Sequence, residues 1–130
     1  MTGDGGLMRV WLVFLGGGSG AVLRYLAGLA LGRWSQHFPW GTFAINVGGS
    51  FLLGLLFGFT YAREFRHERE IMLLLGTGVL GGFTTFSTFE LEGYALLTGG
   101  HGGTAALYLA GSVVAGLAAA VAGAWVGHRL

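Results

Sequence analysis

Four stretches of apolar residues, each punctuated by glycine far more than by charge, set the pattern of this 130-residue chain. They run from about Met8 to Leu31, Gly41 to Tyr61, Ile71 to Leu97 and Thr104 to Gly127, with short polar segments between them. A bilayer core about 30 Å thick takes about 20 apolar residues in helical form, so each stretch is long enough to cross. Short connections force sequential neighbours to run antiparallel, and an even number of spans puts both termini on one side. The pattern predicts an all-α membrane protein with four transmembrane helices, forming a single domain over 1–130.

The third stretch is unlike a plain membrane anchor. Within it, GTGVLGGFTTFSTFELE (Gly76 to Glu92) sets Gly81-Gly82 before Thr84, Thr85, Ser87 and Thr88, interleaved with Phe83, Phe86 and Phe89. Each glycine weakens a helix by about 1 kcal/mol relative to alanine, and hydroxyls offer partners for backbone groups released by a break. In hydrocarbon a break survives only where it is buried in protein or lines a wet cavity. We therefore expect the third helix to be broken near its middle, at the centre of a transport site. A hydroxyl face beside aromatic edges suits a small anion, since the edge of a ring is its positive part. The phenylalanine stripe by itself is usually packing or lipid contact, and it is the hydroxyls among the rings that favour the other reading. Glu90 and Glu92, near the end of the stretch, are expected to be solvated at the interface.

The other spans carry fewer signals. In the first, Gly16, Gly17, Gly18 and Gly20 mark either a kink or a tight helix crossing. Arg24 either snorkels to the interface or lines a vestibule that attracts anions. In the second, Asn46, Ser50, Gly54 and Gly58 recur every four residues and share a packing face. Asn46 on that face is either interhelical glue or an amide donor aimed at a permeating anion. In the fourth, Gly111, Ala115, Ala119, Gly123 and Gly127 form a small-residue ridge, with Tyr108 and Ser112 one turn apart on an adjacent face. Trp11, Trp34, Trp40 and Trp125 fall near span ends, as interface anchors do. Arg63 to Glu70 (REFRHERE) is expected to be a solvated, salt-bridged turn.

Composition narrows the function classes. The chain is 53% hydrophobic and 10% charged, with mean hydropathy +0.67, against about 25% charged in soluble proteins. No cysteine is present, which excludes disulfides and thiolate chemistry. The seven basic residues are all arginine and form no basic run, so no nucleic-acid surface is expected. The apolar run from Met8 lacks a small-residue cleavage site and is expected to be retained as a helix. GGGSG is not followed by the Lys-Ser/Thr pair of a phosphate-binding loop. No Ser/His/carboxylate set can be assembled in the membrane, and the four histidines have no metal-ligand spacing. An enzyme is not expected. A small four-helix multidrug exporter would need a carboxylate deep in the first helix, and none lies between Met8 and Leu31. A scaffolding subunit would explain the small-residue ridges but not the alternation of hydroxyls and aromatics.

The combination of GGGSGAVLRY (Gly16 to Tyr25), GTFAINVGGSFLLG (Gly41 to Gly54) and GFTTFSTFELE (Gly82 to Glu92), with Tyr108 and Ser112 in the last span, resembles the CrcB/Fluc fluoride channels. The resemblance implies an antiparallel, dual-topology dimer of two four-helix subunits in the cell (inner or plasma) membrane. It also implies two fluoride pores and passive export of cytoplasmic fluoride. It places Phe86 and Phe89 against the ions, Asn46 in the pore, Ser87 and Thr88 on a hydroxyl track, Tyr108 and Ser112 as the last-helix pair, and Arg24 as the first-helix arginine. It further implies a structural sodium ion at the dimer centre, held by the backbone carbonyls of Gly81 and Thr84. One feature pulls the other way. Arg9, Arg63, Arg66, Arg69 and Arg129 lie on one side and Arg33 on the other, a bias that favours cytoplasmic termini rather than balanced insertion. The expected partner is a second copy of this chain; the alternative is an oppositely oriented paralogue.

Overall fold

The computed structural model describes residues 4–63 and 65–130. Helix α1 (Asp4–Leu31) ends in a 3-10 turn, Gly32–Trp34. Helix α2 spans Trp40–Ala62. The third span begins as α3 (Glu68–Ile71), winds as a π-helix over Met72–Leu80, returns to α geometry as α4 (Gly81–Phe83), and resumes as α5 (Phe86–Thr98). Helix α6 covers Gly102–Arg129. The stretches Gly5–Trp34, Trp40–Ala62, Glu68–Thr98 and Gly102–Arg129 are each long and apolar enough to cross a membrane. The chain is an all-helical, multi-pass membrane protein.

Its spans pack as two intimate pairs, α2 with α6 and α1 with the third span, which touch each other more sparingly. Between helices in lipid there is little hydrophobic drive, so close backbone approach and dispersion have to hold them. Small residues permit this. A Cβ added at Gly123 would stand 2.1 Å from the Phe51 carbonyl oxygen, and one at Gly54 would stand 2.1 Å from that of Ala120. The second-span face that begins at Asn46 is thus the face that meets α6. The fourth-span ridge is used over only part of its length: Gly123 and Gly127 meet α2, while Gly111 faces open space. In α1 the glycines serve a crossing and not a kink. The helix runs unbroken from Asp4 to Leu31, and a Cβ at Gly20 would lie 2.0 Å from the Val79 carbonyl oxygen.

The turn between the second and third spans differs from expectation. Glu64 lies outside the described residues, and among those described the one contact of salt-bridge range is His67 Nδ1 with Glu70 Oε2, at 3.9 Å. The arginines at span ends stack on aromatic rings instead. The guanidinium of Arg129 lies 3.5 Å from the ring centre of Trp125, that of Arg33 4.4 Å from Trp34, and that of Arg63 4.8 Å from Phe59. Cation–π contact suits the interface, where an apolar ring and a wet charge meet at the same depth.

The α2–α6 seam generates a prediction. Gly123→Val places side-chain atoms against backbone that cannot rotate away, and overpacking of this kind costs about 3 kcal/mol. Thermal unfolding in detergent should show a clear loss of stability, whereas Gly111→Val, at an open position, should unfold like the parent chain.

Candidate functional site

Two residues in the third span leave helical geometry. Thr84 has φ −75° and ψ 157°, and Thr85 has φ −146° and ψ 116°, both extended, between α4 and α5. Extended backbone in an apolar span exposes groups that a helix would satisfy internally, so each needs a partner elsewhere. The Thr84 N–H still donates to the Leu80 carbonyl at 3.0 Å. Thr85 is met by Asn46 from α2: the Thr85 N–H donates to Asn46 Oδ1 at 2.7 Å, and Asn46 Nδ2 donates to the Thr85 carbonyl at 2.9 Å. One amide side chain thus pairs both backbone groups of one residue, as a neighbouring strand would. From α1, Arg24 Nη1 donates to the Thr84 carbonyl at 3.1 Å. The Thr85 hydroxyl caps α5 by accepting from the Thr88 N–H at 3.3 Å.

In the single chain Asn46 bridges two spans, and its second Nδ2 hydrogen is left over. Arg24 is half-buried, turned toward the third span and on the wall of a cavity, not snorkelling.

Two cavities meet at this point. One, of about 270 Å³, is lined by Asn46, Thr84, Thr85, Phe86, Phe89 and Ser112 among others. Phe89 is buried and Phe86 exposed, with ring centres 5.9 Å apart. The Ser112 hydroxyl on this cavity is buried and has no hydrogen-bond partner. A buried polar group left unpaired calls for an explanation. The second cavity, of about 320 Å³, is lined by Arg24, Ser35, Thr42, Thr85, Thr88 and Glu92 among others. Thr85 borders both.

Glu92 departs from expectation. It is half-buried rather than solvated at the interface, and both carboxylate oxygens accept hydroxyl donors: Oε1 from Thr42 at 2.9 Å and Oε2 from Tyr108 at 2.6 Å. Glu90 is exposed. Tyr108 is fully buried, with its ring against Phe89 at 5.2 Å. Ser87 is exposed in the single chain; Thr88, also exposed, reaches the second cavity with its hydroxyl 3.0 Å from that of Thr85, and Gly81 is exposed beside the extended pair. Sequence reasoning passed over Thr42, named Thr85 only as one hydroxyl of the expected break, and read Glu92 as interfacial. Thr42 had a signal, since it extends the Asn46–Ser50–Gly54–Gly58 face by one turn. Glu92 had none beyond being a carboxylate near an apolar run. No group of three or more His, Cys, Asp or Glu side chains converges among the described residues.

A multi-pass helical membrane protein whose third span carries a polar interruption between two cavities has the form of a transport protein. Residues 11–124 match the family described as CrcB-like protein, Camphor Resistance (CrcB). The chain belongs to the CrcB family. It is 56% identical over 108 residues to the fluoride-specific ion channel FluC of Novosphingobium aromaticivorans, covering 81% of this chain and 84% of that protein. It is 44% identical over 129 residues to FluC of Agrobacterium fabrum, covering 95% and 99% respectively. It is 42% identical over 127 residues to FluC of Bacteroides fragilis, covering 95% and 98%.

The pairing of Asn46 with Thr85 can be dissected. Asn46→Leu orphans a buried N–H and a buried carbonyl, each costing about 1–3 kcal/mol. Asn46→Asp adds the further cost of a carboxylate set against the Thr85 carbonyl. Thermal unfolding of the purified protein should rank the parent above both variants.

Proposed function

We propose that this protein is a fluoride-selective passive channel of the cell (inner or plasma) membrane that lets cytoplasmic fluoride out. The observation that carries this reading is the unpartnered Ser112 hydroxyl, buried on the same cavity as Phe86, Phe89 and the amide of Asn46. Fluoride is small and strongly hydrated, so a pore must replace its water shell with several donors that release it again. Ser112 and the spare Nδ2 hydrogen of Asn46 supply classical donors, and the ring edges of Phe86 and Phe89 supply weak positive ones. Beyond Phe89, the Tyr108 hydroxyl and the Ser87 and Thr88 hydroxyls continue the polar route. Arg24 lines the second cavity as the first-helix arginine of the route, opposite in charge to the Glu92 carboxylate on the same wall. Hydrogen fluoride crosses membranes as the neutral acid and dissociates in a near-neutral cytoplasm, so a selective leak suffices for export and needs no energy source.

The reading includes two copies inserted in opposite directions, with two pores. A soluble monomer of 13.6 kDa would expose about 6,600 Å²; this chain exposes 8423 Å². Gly18 has open space around it and is therefore not needed for packing inside the subunit. Small residues on an outer helix face suit close approach by a second helix. Ser87, exposed in an apolar span, likewise calls for cover.

A sodium ion between the copies belongs to the same reading. The donor set fits a hard cation: the helical partner of the Gly81 carbonyl would be the Thr85 N–H, which goes to Asn46 instead. The helical partner of the Thr84 carbonyl would be the Thr88 N–H, which goes to the Thr85 hydroxyl. Gly81 and Thr84 would hold the ion through these carbonyls, with one lone pair of Thr84 already accepting from Arg24. Exposed carbonyls at interrupted helices coordinate small cations, and a cation there would offset repulsion between neighbouring anions.

Liposomes holding the purified protein should release fluoride rapidly and retain chloride, read with ion-selective electrodes. Well-folded protein that releases no fluoride would overturn the proposal. Phe89→Ile should remove most fluoride flux while its elution and unfolding match the parent, and normal conduction by this variant would take that ring off the route. Single cysteines placed near each terminus in intact cells should show two populations, accessible and protected, for the self-paired dimer. One population alone would indicate a paralogous partner.

A further inference from the structure

The connection between the first two spans carries an aromatic ring that does not behave as an interface anchor. Trp34 and Trp40 are exposed at the edges of this connection, whereas Phe38 between them is half-buried. Its ring centre lies 5.4 Å from that of Tyr108, at 86°, an edge-to-face pair. Phe38 also contacts Trp40 at 4.5 Å and Phe43 at 5.9 Å. With Phe89 against Tyr108 and Phe86 against Phe89, five rings follow one another without a gap: Phe86, Phe89, Tyr108, Phe38, Trp40. They come from α5, α6, the connection and α2.

The segment that presents Phe38 is held in place. The Ser35 hydroxyl donates to the Leu31 carbonyl at 3.3 Å and accepts from the Gly41 N–H at 2.9 Å, tying the end of α1 to the start of α2. The Trp40 N–H donates to the Phe38 carbonyl at 2.7 Å, closing a tight turn across Pro39. Phe38 is thus fixed from both flanks.

Tyr108 has two tasks to reconcile. Its ring packs on Phe89, and its hydroxyl must stay within 2.6 Å of Glu92 Oε2. Phe38 is one wall of the enclosure around the Tyr108 ring, and a turn of that ring into space left by a smaller residue would strip Glu92 of one of its two donors. We propose that Phe38 is a positioning residue of the ion route: its ring locks Tyr108 in the orientation that keeps the phenol on Glu92. This rests on the reading that Tyr108 borders the fluoride path. Phe38 itself lines neither cavity named above, and of its ring contacts the one that reaches the proposed route is Tyr108. The connection between the first two spans thereby becomes part of the conducting machinery.

The test is fluoride efflux from liposomes for Phe38→Leu, Tyr108→Phe and the double variant, at matched amounts of folded protein. Phe38→Met gives a second ring-free variant, so a folding failure in one leaves the comparison intact. Loss of an edge-to-face contact permits a reduction of about three- to tenfold in flux. The proposal expects that reduction in the Phe38 variants, recovery in Phe38→Tyr, which keeps the ring, and no further loss when Phe38→Leu is added to Tyr108→Phe. Parent-like flux in Phe38→Leu beside impaired flux in Tyr108→Phe would overturn the proposal and leave the route intact. An equal further loss in the Tyr108→Phe background would overturn it too, since Phe38 would then act by general packing. Parent-like flux in Tyr108→Phe would remove Tyr108 from the route, and the proposal with it.

Discussion

Backbone polar groups in hydrocarbon must be paired, and at Thr84–Thr85 they are paired by side chains from other spans. Asn46 takes both groups of Thr85, and Arg24 takes the Thr84 carbonyl. The rest of the arrangement follows from that need. To deliver Asn46, α2 must lie close against the third span; to deliver Arg24, α1 must cross it near Gly20. The extended pair in turn frees Thr85 to cap α5 and to border two cavities at once. An interruption that would be ruinous in an isolated lipid-facing helix is held here because three spans share the work of satisfying it.

Close approach is the complementary half. Amide and guanidinium groups reach the third span only if the helices carrying them come within side-chain length, and that distance is set where no side chain intervenes. Gly20 against Val79, and Gly54 and Gly123 across the α2–α6 seam, set it for the two helix pairs. The pairs themselves join more loosely, through the Asn46 bonds and the Thr42–Glu92–Tyr108 set. Rigid pairs joined along a polar line leave space along that line, and both polar cavities lie there.

Much of this was legible in the residues. Four apolar runs of membrane length gave the spans, and four-residue spacing put Asn46 on the face that meets α6 and the third span. The glycines and hydroxyls between Gly81 and Thr88 drew attention to the stretch that holds the extended pair, because they contradict a simple anchor. What escaped was long-range pairing. Glu92 meets Thr42, fifty positions away, and Arg24 meets a carbonyl sixty positions away. Neither bond leaves a local trace, since a carboxylate near a span end and an arginine near a span end both read as interfacial. Phe38 escaped for the same reason: an aromatic in a short connection looks like a membrane-surface anchor until the fourth span is folded beneath it.

The π-helical stretch Met72–Leu80 bears on how such a chain can change over evolutionary time. Each of its turns holds one residue more than an α turn, closing i→i+5 bonds such as that from the Gly81 N–H to the Gly76 carbonyl. A segment wound this way can exchange a surplus residue for tighter α winding. Losing one residue before Gly81 then becomes a change of pitch rather than a rotation of everything downstream. The interval between the turn at Arg66–His67 and the extended pair at Thr84–Thr85 is therefore adjustable in length, while the orientation of that pair toward Asn46 and Arg24 is not. Relatives differing in length over this stretch can keep the same junction, because the slack is stored in the winding.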